Sequence, residues 1–426
     1  MTISERNSYH PAFTRYSPAV TAGLQRIAQA SALIESARIL PAQEEILRHD
    51  AKVGSVHYSN LIEGNELPEI EAKRAVEYEL DSETKAKLEL VNYVAALDWM
   101  DERHRSGTIE YTPEFLKGLH AVLTRGLGRP DDRFKPHHEG EWRDGEVRIA
   151  DGLRTYFVAP PQEEVERLMT DRLEWLEDRR THPEYFGPII ASLAHFEATE
   201  VHPFADYNGR TARLLAVAVL LREGTISRYL FSPERYYAKD RDAYLAALRA
   251  IQRDHTLNAW LEYYVNGIAH ECERVAGKVA ELNRVTDRVE AVVQLSTHQE
   301  RIVAELTAGD AREITRADAQ ALTSLARTRV VAELNSLVGA GVLRRRGSGP
   351  STSYVLGSVA RERRPRGPTS RWTEARIRGE LTAIVAEIGR WPSTDEFRAA
   401  GRMGLYVAAS RAGGIKRWRA EITGEA

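Results

Sequence analysis

Two apolar helical runs, Ile189 to Thr199 and Leu214 to Leu221, flank one short polar turn, His202-Pro-Phe-Ala-Asp206-Tyr207-Asn208-Gly209-Arg210-Thr-Ala-Arg213. This arrangement constrains the chain more than any other, because it puts the turn at a helix N-terminus. Unpaired backbone N–H groups and the positive end of the macrodipole meet there, so Asn208 and Gly209 can wrap an anion. Arg210 and Arg213, at i and i+3, add fixed charge on one face. His202 supplies a base, and Asp206 can hold a divalent metal. The turn reads as a phosphate-handling loop with its own base.

The same residues resemble the signature of the Fic family, H-x-F-x-[D/E]-G-N-G-R-x-x-R, at every defining position but one. The resemblance implies a mainly α fold, a Fic-type helical bundle, and an activity: transfer of AMP from ATP to a hydroxyl side chain of a target protein. It implies that the ATP phosphates lie on the Asn208–Gly209 loop and that Mg²⁺ bridges them from Asp206. His202, Asn208 and Arg210 would be the catalytic residues. Asp206, Tyr207, Asn208, Gly209, Arg210 and Arg213 would bind the nucleotide. With an unshifted pKa near ~6.5, His202 is mostly neutral and takes the proton of the target hydroxyl. The departure is Tyr207, which stands where the family has Gly. If φ is negative there, a Tyr costs little and its ring points outward or borders the nucleotide; if φ is positive, the anion site is distorted.

Upstream lies Ser59-Asn-Leu-Ile-Glu63-Gly64. Ser59 and Glu63 are i and i+4 and share a helix face, while Gly64 can take the left-handed conformation that ends a helix. The segment resembles the family's inhibitory helix, [S/T]-x-x-x-E-[G/N], and by that resemblance Glu63 pairs with Arg213 and keeps it from a nucleotide γ-phosphate. Between the two motifs, Gly140 to Ile149 alternates bulky and charged residues around Asp144-Gly145, a two-residue hairpin signal. It looks like the flap, at about 140–158, with which Fic proteins hold a target segment by strand addition.

The remaining sequence reads as further domains. Residues 1–285 are helical patterns with that one hairpin; Glu69 to Met100 reads as a single helix. Residues 286–358 read as a winged helix: three short helices and a two-stranded ribbon, with Arg327 and Arg329 near the start of a recognition helix and Arg344, Arg345 and Arg346 on the wing as candidate DNA contacts. Residues 366–426, after the linker at 361–370, form a small basic helical domain similar to repeats associated with homing endonucleases, or a plain three-helix adaptor with tryptophans in its core. From Gly341 onward there are seventeen Lys and Arg against eight Asp and Glu, a net +9 in a chain whose total is −3. That tail should attract polyanions.

One cysteine, Cys272, excludes an internal disulfide framework. No run of eighteen apolar residues occurs and the first residues carry no apolar leader segment, so the expected location is cytoplasmic, away from membranes. Two rival readings stay open beside the self-inhibited enzyme. One is a DNA-binding regulator with a weak or idle Fic core, and the other is an enzyme that removes AMP. Target protein and oligomeric state, including a homodimer, are not encoded legibly.

Overall fold

The computed structural model describes residues 16–127, 139–151, 154–226, 228–254, 256–360 and 374–424. In chain order, α1 (Pro18–Ser36), α2 (Pro41–Ile62), α3 (Glu69–Val76), α4 (Lys85–Arg105) and α5 (Pro113–Thr124) precede a hairpin of β1 (Arg148–Asp151) and β2 (Arg154–Val158). Then come α6 (Val165–Arg179), α7 (Gly187–Val201), α8 (Asn208–Arg222), α9 (Glu234–Lys239), α10 (Arg241–Asp254) and the long α11 (Asn258–Glu290). The helix expected over Glu69 to Met100 is broken. Tyr78 takes a left-handed φ of 59° and ends α3, and Thr84 caps a fresh start at α4 by accepting from the Lys87 amide.

α7 and α8 form the centre. Both are apolar nearly all round, and in α8 every residue from Asn208 to Leu221 except Gly209 is buried. A helix with no polar face must be surrounded. α2, α4, α5, α6 and α11 supply the surround, with α1 lying along α11. The polar turn joining α7 to α8 is therefore held from both sides by a packed core.

The hairpin lies later than its Asp-Gly signal. Arg148 pairs with Val158 and Asp151 with Arg154, residues 152 and 153 lie outside the described residues, and Asp144 and Gly145 form a bend ahead of β1. Local turn chemistry at Asp-Gly was overridden by the Arg143 side chain, which donates to the Gly145 carbonyl at 2.7 Å and fixes that bend.

The boundary expected at 285/286 falls inside α11, and Val285 and Val289 on its last turns join Leu40 in a second core with residues 302–360. Around it stand α12 (Thr297–Thr307), α13 (Arg316–Thr323) and α14 (Arg327–Gly339), with Ser324 left-handed (φ 56°) between the last two. The expected two-stranded ribbon is a three-stranded antiparallel sheet. β4 (Leu343–Arg346) and β5 (Ser353–Leu356) pair as read from the sequence, and β3 (Ile314–Thr315), too short to be legible, adds to the other edge of β5. α2 enters this core with its first turn. Leu40 is buried in it, and the fully buried Gln43 accepts from Leu40 N and Thr286 Oγ1 and donates to Thr307 Oγ1 at 2.9 Å.

Chain contacts divide the protein after Arg361. Residues 374–424 form a separate unit of four helices, α15 (Glu374–Ile388), α16 (Thr394–Ala399), α17 (Met403–Arg411) and α18 (Ile415–Thr423), around Ile377, Leu381, Phe397, Leu405 and Trp418. The Gly-rich end carries α17 and α18, two helices of nine residues each. The linker at 361–370 and Arg371 to Thr373 lie outside the described residues, as does the N-terminal stretch 1–15.

Candidate active site

α7 stops at His202, whose φ of 52° is a left-handed cap. Its Nδ1 lies 3.3 Å from the Thr199 carbonyl oxygen. A carbonyl only accepts, so Nδ1 carries the proton and Nε2 keeps a lone pair. The unshifted value expected from the sequence does not hold. Burial lowers the His202 pKa below ~6.5, the bond to Thr199 opposes this, and the Arg143 guanidinium adds to the lowering. The imidazole is a neutral base at pH 7.

The loop after it is stapled on every side. Asn208 Oδ1 accepts from the Phe204 amide at 2.9 Å and its Nδ2 donates to the Phe204 carbonyl at 2.8 Å, so its side chain closes the turn. Phe204 is fully buried and stacks on His120, with ring centroids 3.7 Å apart. His120 accepts from the Gly140 amide at Nδ1 and through Nε2 donates to the Asp206 carbonyl at 3.2 Å. Arg143, 5% exposed, donates to the carbonyls of His202 (2.8 Å), Gly145 and Pro160, and its amide donates to the Pro203 carbonyl. It ties the segment before the hairpin to the loop that carries the base.

Asp206 is exposed, and its Oδ1 accepts from the Tyr207 amide at 2.7 Å. No group of three His, Cys, Asp or Glu gathers among the described residues. A Mg²⁺ ion there would take one carboxylate and complete its shell with water and phosphate oxygens, a donor set that suits it.

Tyr207 settles which branch of the sequence reading applies: φ is 61° and ψ 14°. A left-handed tyrosine costs roughly 1–2 kcal/mol. Its ring does not point outward. It is buried, its hydroxyl donates to Glu89 Oε1 at 2.8 Å, and the Arg210 guanidinium lies 4.2 Å from its centroid. A hydrogen bond to a carboxylate contributes about 1.5–3 kcal/mol and offsets the backbone strain.

Both motif arginines are buried and engaged. Arg213 donates to Ser59 Oγ at 2.8 Å through Nε, to the Ser59 carbonyl through Nη2, and to Glu63 Oε1 at 2.8 Å. Arg210 Nη1 donates to Asn60 Oδ1 at 2.9 Å and lies 3.2 Å from Glu89 Oε2, while its Nε–H meets no acceptor among the described residues. α2 ends at Ile62 and Gly64 takes φ 87°, so Glu63 sits at the very end of the helix. Its side chain is 32% exposed and lies over Gly209, where any Cβ would collide with it. Burial raises the Glu63 pKa, but Arg213, then Arg210 and Arg241, more than offset that and hold the carboxyl below its ordinary range. An internal anion thus occupies the N-terminus of α8.

The structure brings Ser59, Glu63, His202, Asp206, Tyr207, Asn208, Gly209, Arg210 and Arg213 together. Four neighbours were not singled out from the sequence: Asn60, Glu89, His120 and Arg143. Two of them had a signal in the sequence. Glu89 shares the buried face of α4 with Tyr93, Ala96 and Met100, and His120 shares that of α5 with Leu116, Leu119 and Leu123. A polar residue on an apolar face asks for a partner. Arg327, Arg329, Arg344, Arg345 and Arg346 stand elsewhere, exposed on α14 and β4. Arg329 bonds Glu333, Arg345 bonds Asn335 and Arg346 bonds Glu313.

Residues 110–220 match the model of the Fic/DOC family, and the chain carries a Fic/DOC family domain there. Among curated proteins it is 32% identical over 171 residues to "Protein adenylyltransferase Fic" of Nematostella vectensis, covering 40% of this chain and 37% of that protein. It is 28% identical over 178 residues to the protein of the same name from Aedes aegypti, covering 41% and 33%. The match spans little more than a third of these relatives' length. A crystal structure of a Fic family protein from Desulfovibrio desulfuricans G20 shares the fold, with a TM-score of 0.57 at 20% identity over 82% of this chain and 99% of that one. No helix among the described residues is long and apolar enough to cross a membrane.

Proposed function

We propose that this chain transfers AMP from ATP to a hydroxyl of a target protein and that Glu63 restrains the transfer. The observation that carries this reading is the Glu63 carboxylate, 2.8 Å from Arg213 at the N-terminus of α8, where a nucleotide phosphate would otherwise bind. His202 Nε2 takes the proton of the target hydroxyl, its oxygen bonds to the α-phosphorus, and pyrophosphate leaves with the electrons of the broken P–O bond. Arg210 and Arg213 face the charge that builds on the leaving phosphates. Asp206 would hold Mg²⁺, which when bound neutralises phosphate charge. The β1–β2 hairpin would receive an extended target segment by strand addition. The names of the curated relatives support the same chemistry. The test is to incubate the protein and its Glu63→Gly form with labelled ATP and Mg²⁺. Label on protein from the second form is expected, and none from either form refutes the reading.

The depressed His202 pKa gives a pH dependence. A base must be unprotonated, so activity is lost only as pH falls through the lowered value. The rate of the Glu63→Gly form should fall with acid at a midpoint below the ordinary imidazole value of about 6.5. A midpoint at or above about pH 7 would contradict a neutral, buried imidazole.

A second reading, as a DNA-binding protein, rests on the exposed arginines of α14 and β4 and the basic tail. Residues 297–356 would be a winged helix, with α14 as its recognition helix. The full-length protein should then bind mixed-sequence duplex DNA with a steep salt dependence, independent of ATP. Changing Arg344, Arg345 and Arg346 together to Ala should flatten the slope of log K against log salt by at most about 3. Absence of any mobility shift at low salt removes this reading.

A further inference from the structure

Glu89 lies outside every motif, yet it is the hub of the loop. It is 8% exposed on α4, and each of its oxygens is used. Oε1 accepts from the Tyr207 hydroxyl; Oε2 accepts from Asn65 Nδ2 at 2.9 Å and faces Arg210 Nη1 at 3.2 Å. The Tyr207 ring then forms the floor under the Arg210 guanidinium.

The two carboxylates near the arginines differ in kind. Glu63 ends a helix, is a third exposed, and covers the very amides an incoming phosphate needs. Glu89 sits beneath the loop, behind Tyr207, with its acceptors already filled. A phosphate can replace the first without disturbing the second.

We propose that Glu89 is a positioning residue. Through the Tyr207 hydroxyl it holds the left-handed turn that this chain must make without glycine, and through Oε2 it fixes the orientation of the Arg210 guanidinium beside the loop. The carboxylate and the tyrosine act as one unit, and each is in place because of the other. This rests on the nucleotide-transfer reading for its kinetic consequence, though not for the clasp itself.

The test uses the full chain in the Glu63→Gly background with Glu89→Gln, Tyr207→Phe and the double variant. Glutamine keeps the shape but removes the charge, and one of the two oxygen positions becomes an N–H₂ that can no longer accept from the Tyr207 hydroxyl or from Asn65 and Arg210. Thermal unfolding reads the clasp without any activity: the two changes share one bond, so their effects on Tm should be clearly less than additive. Additive shifts overturn the proposal whether or not the protein transfers AMP. With ATP, Glu89→Gln should lower kcat roughly ten-fold or more while KM for ATP changes much less, because Arg210 acts on charge that develops during transfer. A merely structural residue would lower Tm and leave kcat of the folded fraction unchanged, and that result refutes positioning. A raised kcat refutes it as well, by making Glu89 a second restraint on Arg210. If Glu89→Gln does not fold, Tyr207→Phe alone, which keeps every charge, should still lower kcat about three-fold or more. Labelling absent from the Glu63→Gly parent, with Tm coupling present, would fault the reading of function and leave the clasp standing.

Discussion

Alanine at His202 should lower AMP transfer by ~10²–10⁴-fold, the usual contribution of a positioned general base. The effect is best read in the Glu63→Gly form, where transfer is unrestrained. ATP affinity should change little, because the phosphates meet α8 and the arginines rather than the imidazole. His202 is also a left-handed helix cap, and alanine at φ 52° would bear the strain the histidine already bears, with somewhat less tolerance for that conformation. His202→Asn separates the two effects: asparagine tolerates the cap conformation but supplies no base. Both variants should be equally inactive while differing in Tm. Labelling as fast as the parent by either would remove His202 from the mechanism.

Glu63→Gly should raise auto-labelling by about ten- to a hundred-fold. Its carboxylate makes a charge-assisted bond to Arg213 of a kind that contributes about 1.5–3 kcal/mol, and each 1.4 kcal/mol is ten-fold. The substitution frees an existing phosphate partner and uncovers amides already in place. Because the Glu63 pKa lies below the ordinary carboxylate range, the restraint should hold across neutral pH rather than relax with mild acid. Glu63→Gln, which keeps size without charge, should fall between the two. Equal labelling by wild type and Glu63→Gly would end the case for self-inhibition.

What the sequence made legible follows from range. The base, the loop amides and the two arginines lie within twelve consecutive residues, and their geometry is set by one helix end. The Glu63 partner is 150 residues from Arg213, yet it too was legible, because the family resemblance supplied the pairing that distance hides. Tyr207 was legible only as a departure. The sign of its φ depends on a partner 118 residues upstream that no local rule names. The hairpin failed differently: Asp144-Gly145 is a sound turn signal, but the buried Arg143 used that bend to reach carbonyls on three segments. The break in the long helix expected from Glu69 to Met100 stayed hidden because apolar spacing continues on both sides of the turn at Tyr78, and periodicity alone cannot see a helix end.

α2 is held at both ends. Gln43 is locked into the core of residues 302–360, and Ser59, Asn60 and Glu63 reach the arginines from the last turn. A helix advances about 1.5 Å and turns about 100° per residue. One residue inserted between these grips would swing Glu63 to the wrong side of the axis, and removal of two full turns would restore its direction but leave it about 10 Å short. Side chains on the outer face of α2 are therefore free to vary in size and charge, while the number of residues between Gln43 and Ser59 is not.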